Sequence, residues 1–175
     1  MPAEEQVQEV ANKLKELNPG FDGKAERRQV NVGPALYFNS QGVTDITPVC
    51  AMTGLKMVQC NGKSFGTPSA LSDLSPLKGL KLKQFVCYGT SVSDLTPITG
   101  MPLVYLHVAG TKVRDLSPLK GMRLESLVIV HTKVSDLTPL KDMPLINLDC
   151  SYTLVSDLTP LETCKSLETL KVKNT

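Results

Sequence analysis

The chain has 175 residues, which is about one domain's worth. Apolar residues make up 41% and charged residues 21%, the range of a folded rather than a disordered chain. Nineteen Lys and Arg against 17 Asp and Glu leave a formal charge of +2, so there is no general pull toward nucleic acid or an anionic membrane. The longest apolar runs, such as Leu127-Val128-Ile129-Val130, are too short to cross a bilayer.

The opening Met1-Pro2-Ala3-Glu4-Glu5 is acidic and lacks the basic and apolar regions of a secretory signal. From Ala3 to Leu17 the apolar residues Val7, Val10, Leu14 and Leu17 fall at helical spacing among polar ones, which predicts an amphipathic helix. Asn18-Pro19-Gly20 ends it. Lys24 to Phe38 alternates loosely, with Val30, Val32, Leu36 and Phe38 apolar, and Gly33-Pro34 is placed to turn a hairpin. Residues 1–40 are therefore expected to form an N-terminal cap, and residues 41–175 a repeat array.

The repeat is explicit. The string Val-x-Asp-Leu-x-Pro-Leu recurs with small changes from Val43, Leu71, Val92, Val113, Val134 and Val155, at steps of 28 and then 21 residues. Between copies lies Leu-x-x-φ-x-φ, where φ is apolar, as in Leu103/Leu106/Val108 and Leu124/Leu127/Ile129. A partial copy, Leu36/Phe38, precedes the first, giving about seven rungs. Two apolar residues two apart put both side chains on one face of a short strand, and identical rungs stack as a parallel sheet. A lone rung has nothing to bury against, so neighbours must supply its stability.

In Asp73-Leu74-Ser75-Pro76-Leu77, Ser75 reads as an N-cap and Pro76 as the first helical residue, and the other copies read alike. The few residues left suit a single 3₁₀ turn. A column of stacked aspartates is costly unless each carboxylate accepts backbone N–H bonds, so these are expected to be structural. Thr90, Thr111, Thr132, Thr153 and Thr175 form a second column, expected to bond neighbouring turns. Gly62, Gly89 and Gly110 recur as turn residues. The 28-residue step carries seven extra residues, one near Thr53-Gly54 and six within Lys63 to Ala70. There Phe65 is a possible loop contact or part of a tolerated insertion.

These strings resemble the leucine-rich repeat Leu-x-x-Leu-x-Leu-x-x-Asn-x-Leu, with Thr at the Asn position. The short step and the Asp-Leu-Ser/Thr-Pro-Leu half are similar to the internalin-type bacterial subclass. Lys120-Gly121-Met122, Lys141-Asp142-Met143-Pro144-Leu145 and the leader Leu14 to Gly23 further resemble arrays attached to bacterial serine/threonine protein kinases, although no kinase motif is present. The resemblance implies an α/β fold: a right-handed solenoid with a parallel sheet on its concave side and 3₁₀ turns on its convex side. It further implies a recognition module, a sensor or scaffold in a larger kinase-containing chain.

Cys60, Cys87 and Cys150 occupy the last core position of their strands, and Cys164 another core position, while Cys50 falls where Lys78 and Lys120 sit and should be exposed. The odd count argues against a complete disulfide framework and fits a reducing, cytoplasmic compartment.

Core and turn positions repeat almost verbatim, but the outward strand positions share almost nothing. On them fall Tyr88, Tyr105, His107 and Asp149, with His131 and Tyr152 at strand ends. Val86, Val128 and Val130 add apolar area. Tyr buries much surface with few torsions to freeze, so a protein- or peptide-binding face is expected at Tyr88, Tyr105, His107, Val128, Val130, His131, Asp149 and Tyr152. Ordinary strand surface is the alternative, because β-propensity also favours Tyr and Val. A catalytic His107, Ser126 and Asp149 would need contact across about 10 Å of rungs, and a smooth sheet offers no oxyanion hole. A metal site from His107, His131 and Asp149 fails likewise, no phosphate loop is present, and no cofactor is expected. The face has few basic residues before Lys171 and Lys173, which disfavours nucleic acid. With no C-terminal cap in the pattern, the last rung is expected to expose core and a strand edge, making a structural spacer or self-associating array the alternative function.

Overall fold

A computed structural model of the chain describes residues 3–62 and 67–175. Helix α1 (Ala3–Leu17) is followed by strands β1 (Ala25–Val30), β2 (Gly33–Asn39), β3 (Met57–Asn61), β4 (Gln84–Val86), β5 (Tyr105–His107), β6 (Ser126–Val128), β7 (Asn147–Asp149) and β8 (Thr169–Lys171). They form one sheet in chain order. β1 pairs antiparallel with β2, and every later pair is parallel. From β4 on the strands are three residues long, because a 21-residue rung must also turn twice and return.

The sheet's inner face and the returning turns enclose one continuous core. The middle residues Val58, Phe85, Leu106 and Leu127 are in lateral register and fully buried. Opposite them, Leu77, Ile98, Leu119 and Leu140 on the 3₁₀ turns are equally buried. Each rung thus closes the layer its neighbours leave open. On the final rung Leu154, Leu158, Leu170 and Val172 remain 37–61% exposed.

The 3₁₀ turns lie at Thr47–Ala51, Ser75–Leu77, Thr96–Ile98, Ser117–Leu119, Thr138–Leu140 and Thr159–Thr163. Their N-terminal satisfaction differs from the expected Ser or Thr cap. Ser75 and its equivalents are the first helical residues, and the aspartate two residues earlier accepts their backbone N–H at 2.7–2.8 Å. In two turns the Ser hydroxyl also donates to the same carboxylate, at 2.8 Å in Ser75–Asp73 and 2.6 Å in Ser117–Asp115. The carboxylates are structural, as their stacking required.

The threonine column also works differently from the expectation. Thr90, Thr111, Thr132 and Thr153 donate to the carbonyl three residues back in their own rung, at 2.7–2.8 Å. The backbone links neighbouring turns instead, as in Lys112 N–H to Val92 O. A hydroxyl spans two rungs at Ser40 and Ser69, 2.7 Å apart and fully buried.

The N-terminal helix covers the first rung with Val10, Ala11 and Leu14, while Leu17 is half exposed rather than part of the buried stripe. The hairpin turns at Asn31-Val32, not at Gly33-Pro34: Val30 faces Gly33 and Pro34 lies inside β2. Pro34 keeps its carbonyl in the ladder, accepting from Lys56 N–H, and faces Gln29 on the hairpin strand. Asn18 locks the cap in place. Its side-chain amide donates to Leu14 O and Asp45 O and accepts from Thr44 and Asp45 N–H, all within 3.0 Å. Beside it the backbones of Gly20 and Gly42 touch, so closely that a Cβ on Gly42 would lie 2.4 Å from Gly20 O.

Candidate functional site

The open face carries three lateral columns set by the strand register. The first runs Gln84, Tyr105, Ser126, Asn147; the second Val86, His107, Val128, Asp149; the third holds Tyr88, Val130 and Ser151 beyond the strand ends. Two-residue alternation puts them opposite the buried Leu106 column.

Sequence-predicted residues meet here in two groups. Tyr88 and Tyr105 both flank His107, with ring centroids 5.3 and 6.4 Å from the imidazole. The Tyr105 hydroxyl lies 3.4 Å from His107 Nδ1. Burial holds the His107 imidazole below its ordinary pKa, opposed by the charge of Asp149, and burial raises that of Tyr105. In the second group the rings of His131 and Tyr152 stack at 4.4 Å and 13°. Lys173 Nζ lies 5.9 Å from the Tyr152 centroid.

Val128 separates His107 from Asp149 in the second column, and Asp149 accepts instead from Ser151 N–H at 3.1 Å. Val128 and Val130 are partly exposed, but Val86 is 5% exposed and buried with Ala35 and Met57 in a small second apolar cluster. The expectation that Val86 adds exposed area is thus corrected: Tyr88, Tyr105 and Tyr37 pack around that cluster. Phe65 lies outside the described residues.

Two features escaped the sequence reading. His131 and Tyr152 are not strand residues. They occupy a left-handed turn position, φ 54° and 57°, that Gly89 and Gly110 fill in earlier rungs, both at φ 64°. The one-per-rung glycine pattern could have revealed this. The second feature is a cleft of about 650 Å³ between the hairpin and the first rungs. β1 side chains form one wall, Tyr37, Gln59 and Asn61 the floor, and Tyr88 the far side. It depends on the register in which β1 folds back on β2, which the loose alternation of Lys24 to Phe38 leaves open.

Among the described residues no three His, Cys, Asp or Glu side chains gather closely enough to share a metal ion, and no helix is long and apolar enough to cross a membrane.

Single-strand rungs joined by 3₁₀ turns, in one sheet that is parallel from β2 onward, with a helical N-terminus, define an internalin-like leucine-rich-repeat solenoid. Among solved structures the chain is similar to an internalin of Listeria monocytogenes, InlF, with a TM-score of 0.57 and 26% identity over 79% of this chain. The match covers 47% of that protein, so this chain spans about half its length. It also matches internalin C2 of the same organism at 20% identity and a TM-score of 0.48, over 93% of this chain and 92% of that one. No protein-family profile and no curated protein matches the chain.

Proposed function

We propose that the open face of the sheet is a non-catalytic recognition surface for a protein or peptide, centred on Tyr88, Tyr105, His107, Val128, Val130, His131, Asp149 and Tyr152. The observation that carries this reading is the His131–Tyr152 stack on left-handed backbone, where the two preceding rungs use glycine. The turn imposes this conformation on successive rungs, so it is the placing of two aromatic rings there, at a cost in strain, that supports a site. The Tyr88–His107–Tyr105 group adds aromatic anchors one rung away. The interposed Val128 speaks against a hydrolytic triad on the same face. The likeness to InlF supports a protein-interaction module, and the resemblance of the repeats to kinase-attached arrays supports a sensor or scaffold role in a larger chain.

Panning a random-peptide display library on the whole protein tests the reading. Enriched peptides should lose at least tenfold in affinity when Tyr105 and His107 are both replaced by Ala. Equal binding to that variant contradicts it.

A second reading is a spacer that self-associates through its last rung, favoured by Leu154, Leu158, Leu170 and Val172 at 37–61% exposure. It predicts concentration-dependent light scattering that Leu170→Lys abolishes and that Tyr105→Ala leaves unchanged.

A further inference from the structure

We propose that the cleft between the hairpin and the first rungs is a subsite for a neutral carboxamide, an Asn or Gln side chain of a bound peptide, with Asn61 as its principal contact. This rests on the reading of the open face as a recognition surface and names what one part of it selects.

Asn61 follows the inward Cys60 on β3 and pairs laterally with Asn39 on β2. It is 8% exposed, and among the described residues its buried Oδ1 has no hydrogen-bond partner. A buried acceptor left unmatched costs stability, and such groups in a native fold call for a reason. The described residues give none. The same place on later rungs is filled by Tyr88, Ala109, Val130 and Ser151, so neither an amide nor any polar group is needed there.

The surroundings select the ligand's chemistry. Asp22 and Glu26 against Lys24 and Arg28 leave the lining without net charge. Arg28 is already closed onto Glu26, with Nε at 3.0 Å, and lies 4.9 Å from the Tyr37 ring centroid. Outside that pair the lining holds one cation, Lys24, and one anion, Asp22, so no net charge favours an ion of either sign. Gln59 and Asn61 remain on the floor as neutral amides. A half-turn of an amide exchanges its donor and acceptor. A carboxamide offers both and matches either orientation, whereas a carboxylate only accepts and an ammonium only donates. The volume of about 650 Å³ is that of a ligand site and exceeds one side chain, so a peptide segment fits. Tyr88 belongs both to the cleft and to the group around His107, so a peptide lying on the aromatic face reaches the cleft without a gap.

The test uses the same display library on the whole protein and on Asn61→Leu. Peptides enriched on the wild type should share an Asn or Gln at one register. Changing that residue to Glu should cost at least tenfold in affinity against the wild type and less than twofold against Asn61→Leu. The variant should also melt no lower than the wild type, since it removes an unmatched acceptor. Enriched peptides without a shared Asn or Gln, or equal losses on both proteins, overturn the carboxamide subsite and leave the recognition reading standing. A lower melting temperature for Asn61→Leu also overturns it, because the amide would then be satisfied in the fold. Enrichment of no peptide overturns both.

Discussion

The imidazole of His131 lies flat against the ring of Tyr152, 4.4 Å away, and both residues sit on left-handed backbone. The stack offsets part of the strain, since aromatic pairs contribute about 0.5–1.5 kcal/mol and a non-glycine residue in this region costs about 1 kcal/mol or more. His131→Gly should therefore change stability by less than about 1 kcal/mol in urea unfolding while weakening any ligand of the aromatic face. His131→Val, β-branched at positive φ, should cost roughly 1–3 kcal/mol. A large loss with Gly would mean that the ring serves the fold.

Asn18 joins helix to solenoid through a fully matched side chain, 2% exposed. Asn18→Leu leaves Thr44 N–H, Asp45 N–H and Asp45 O unmatched, and should destabilise by about 2–4 kcal/mol. Hydrogen exchange should accelerate most in α1 and the Thr47–Ala51 turn, because the cap loosens before the rungs. Uniform acceleration along the chain would contradict this role.

Acid should lower the protein's stability through its aspartate column. The carboxyls of Asp45, Asp94, Asp115, Asp136 and Asp157 are held below their ordinary pKa, first by the Ser or Thr side chain and then by the backbone N–H two residues on. Repulsion from neighbouring aspartates opposes this at Asp94 and Asp136. A depressed folded pKa stabilises above the unfolded value of about 4, and that stabilisation is lost as pH falls through the folded value. His107 has the same sign at higher pH, because burial disfavours its charged form. The melting temperature should decline slightly below about pH 6.5 and again below about pH 4. His107→Gln should remove only the upper decline. A melting temperature that is flat from pH 2 to pH 4 would refute the carboxylate account.

The five thiols should divide one to four. Cys50 is exposed, and Cys60, Cys87, Cys150 and Cys164 are buried. Burial pushes the Cys87 thiol up to about 12 and that of Cys150 to about 11. A thiol-reactive chromophore at pH 8 should modify one cysteine quickly in the native protein and five in urea, and Cys50→Ser should abolish the fast phase. Two or more fast equivalents would place a core cysteine at the surface.

The rung was legible in the sequence because its demands are local and repeated: a buried pair at two-residue spacing, an aspartate before each turn, a proline within it. Those demands set the strands, the 3₁₀ turns, the buried cysteines and the outward Tyr88, Tyr105 and His107. The wrong details were ones of partner rather than element. A threonine hydroxyl reaches its own rung or the next with equal ease by spacing alone, and a Ser beside an Asp leaves open which oxygen takes the N–H.

Contacts between distant segments were settled only in three dimensions. Asn18 reads as a helix stop, yet its side-chain partners include Thr44 and Asp45, 26 and 27 residues away. Val86 reads as exposed until it is seen to be buried in one cluster with Ala35 and Met57 from the two preceding strands. Alternation places Asn61 outward but cannot say that it shares a cleft with Glu26 and Arg28 of the hairpin. A period fixes what each coil does to its neighbours, since those neighbours are copies of itself. How a non-repeating end folds back depends on close approach between unlike segments, as where Gly20 meets Gly42, and that free energy belongs to the assembled molecule.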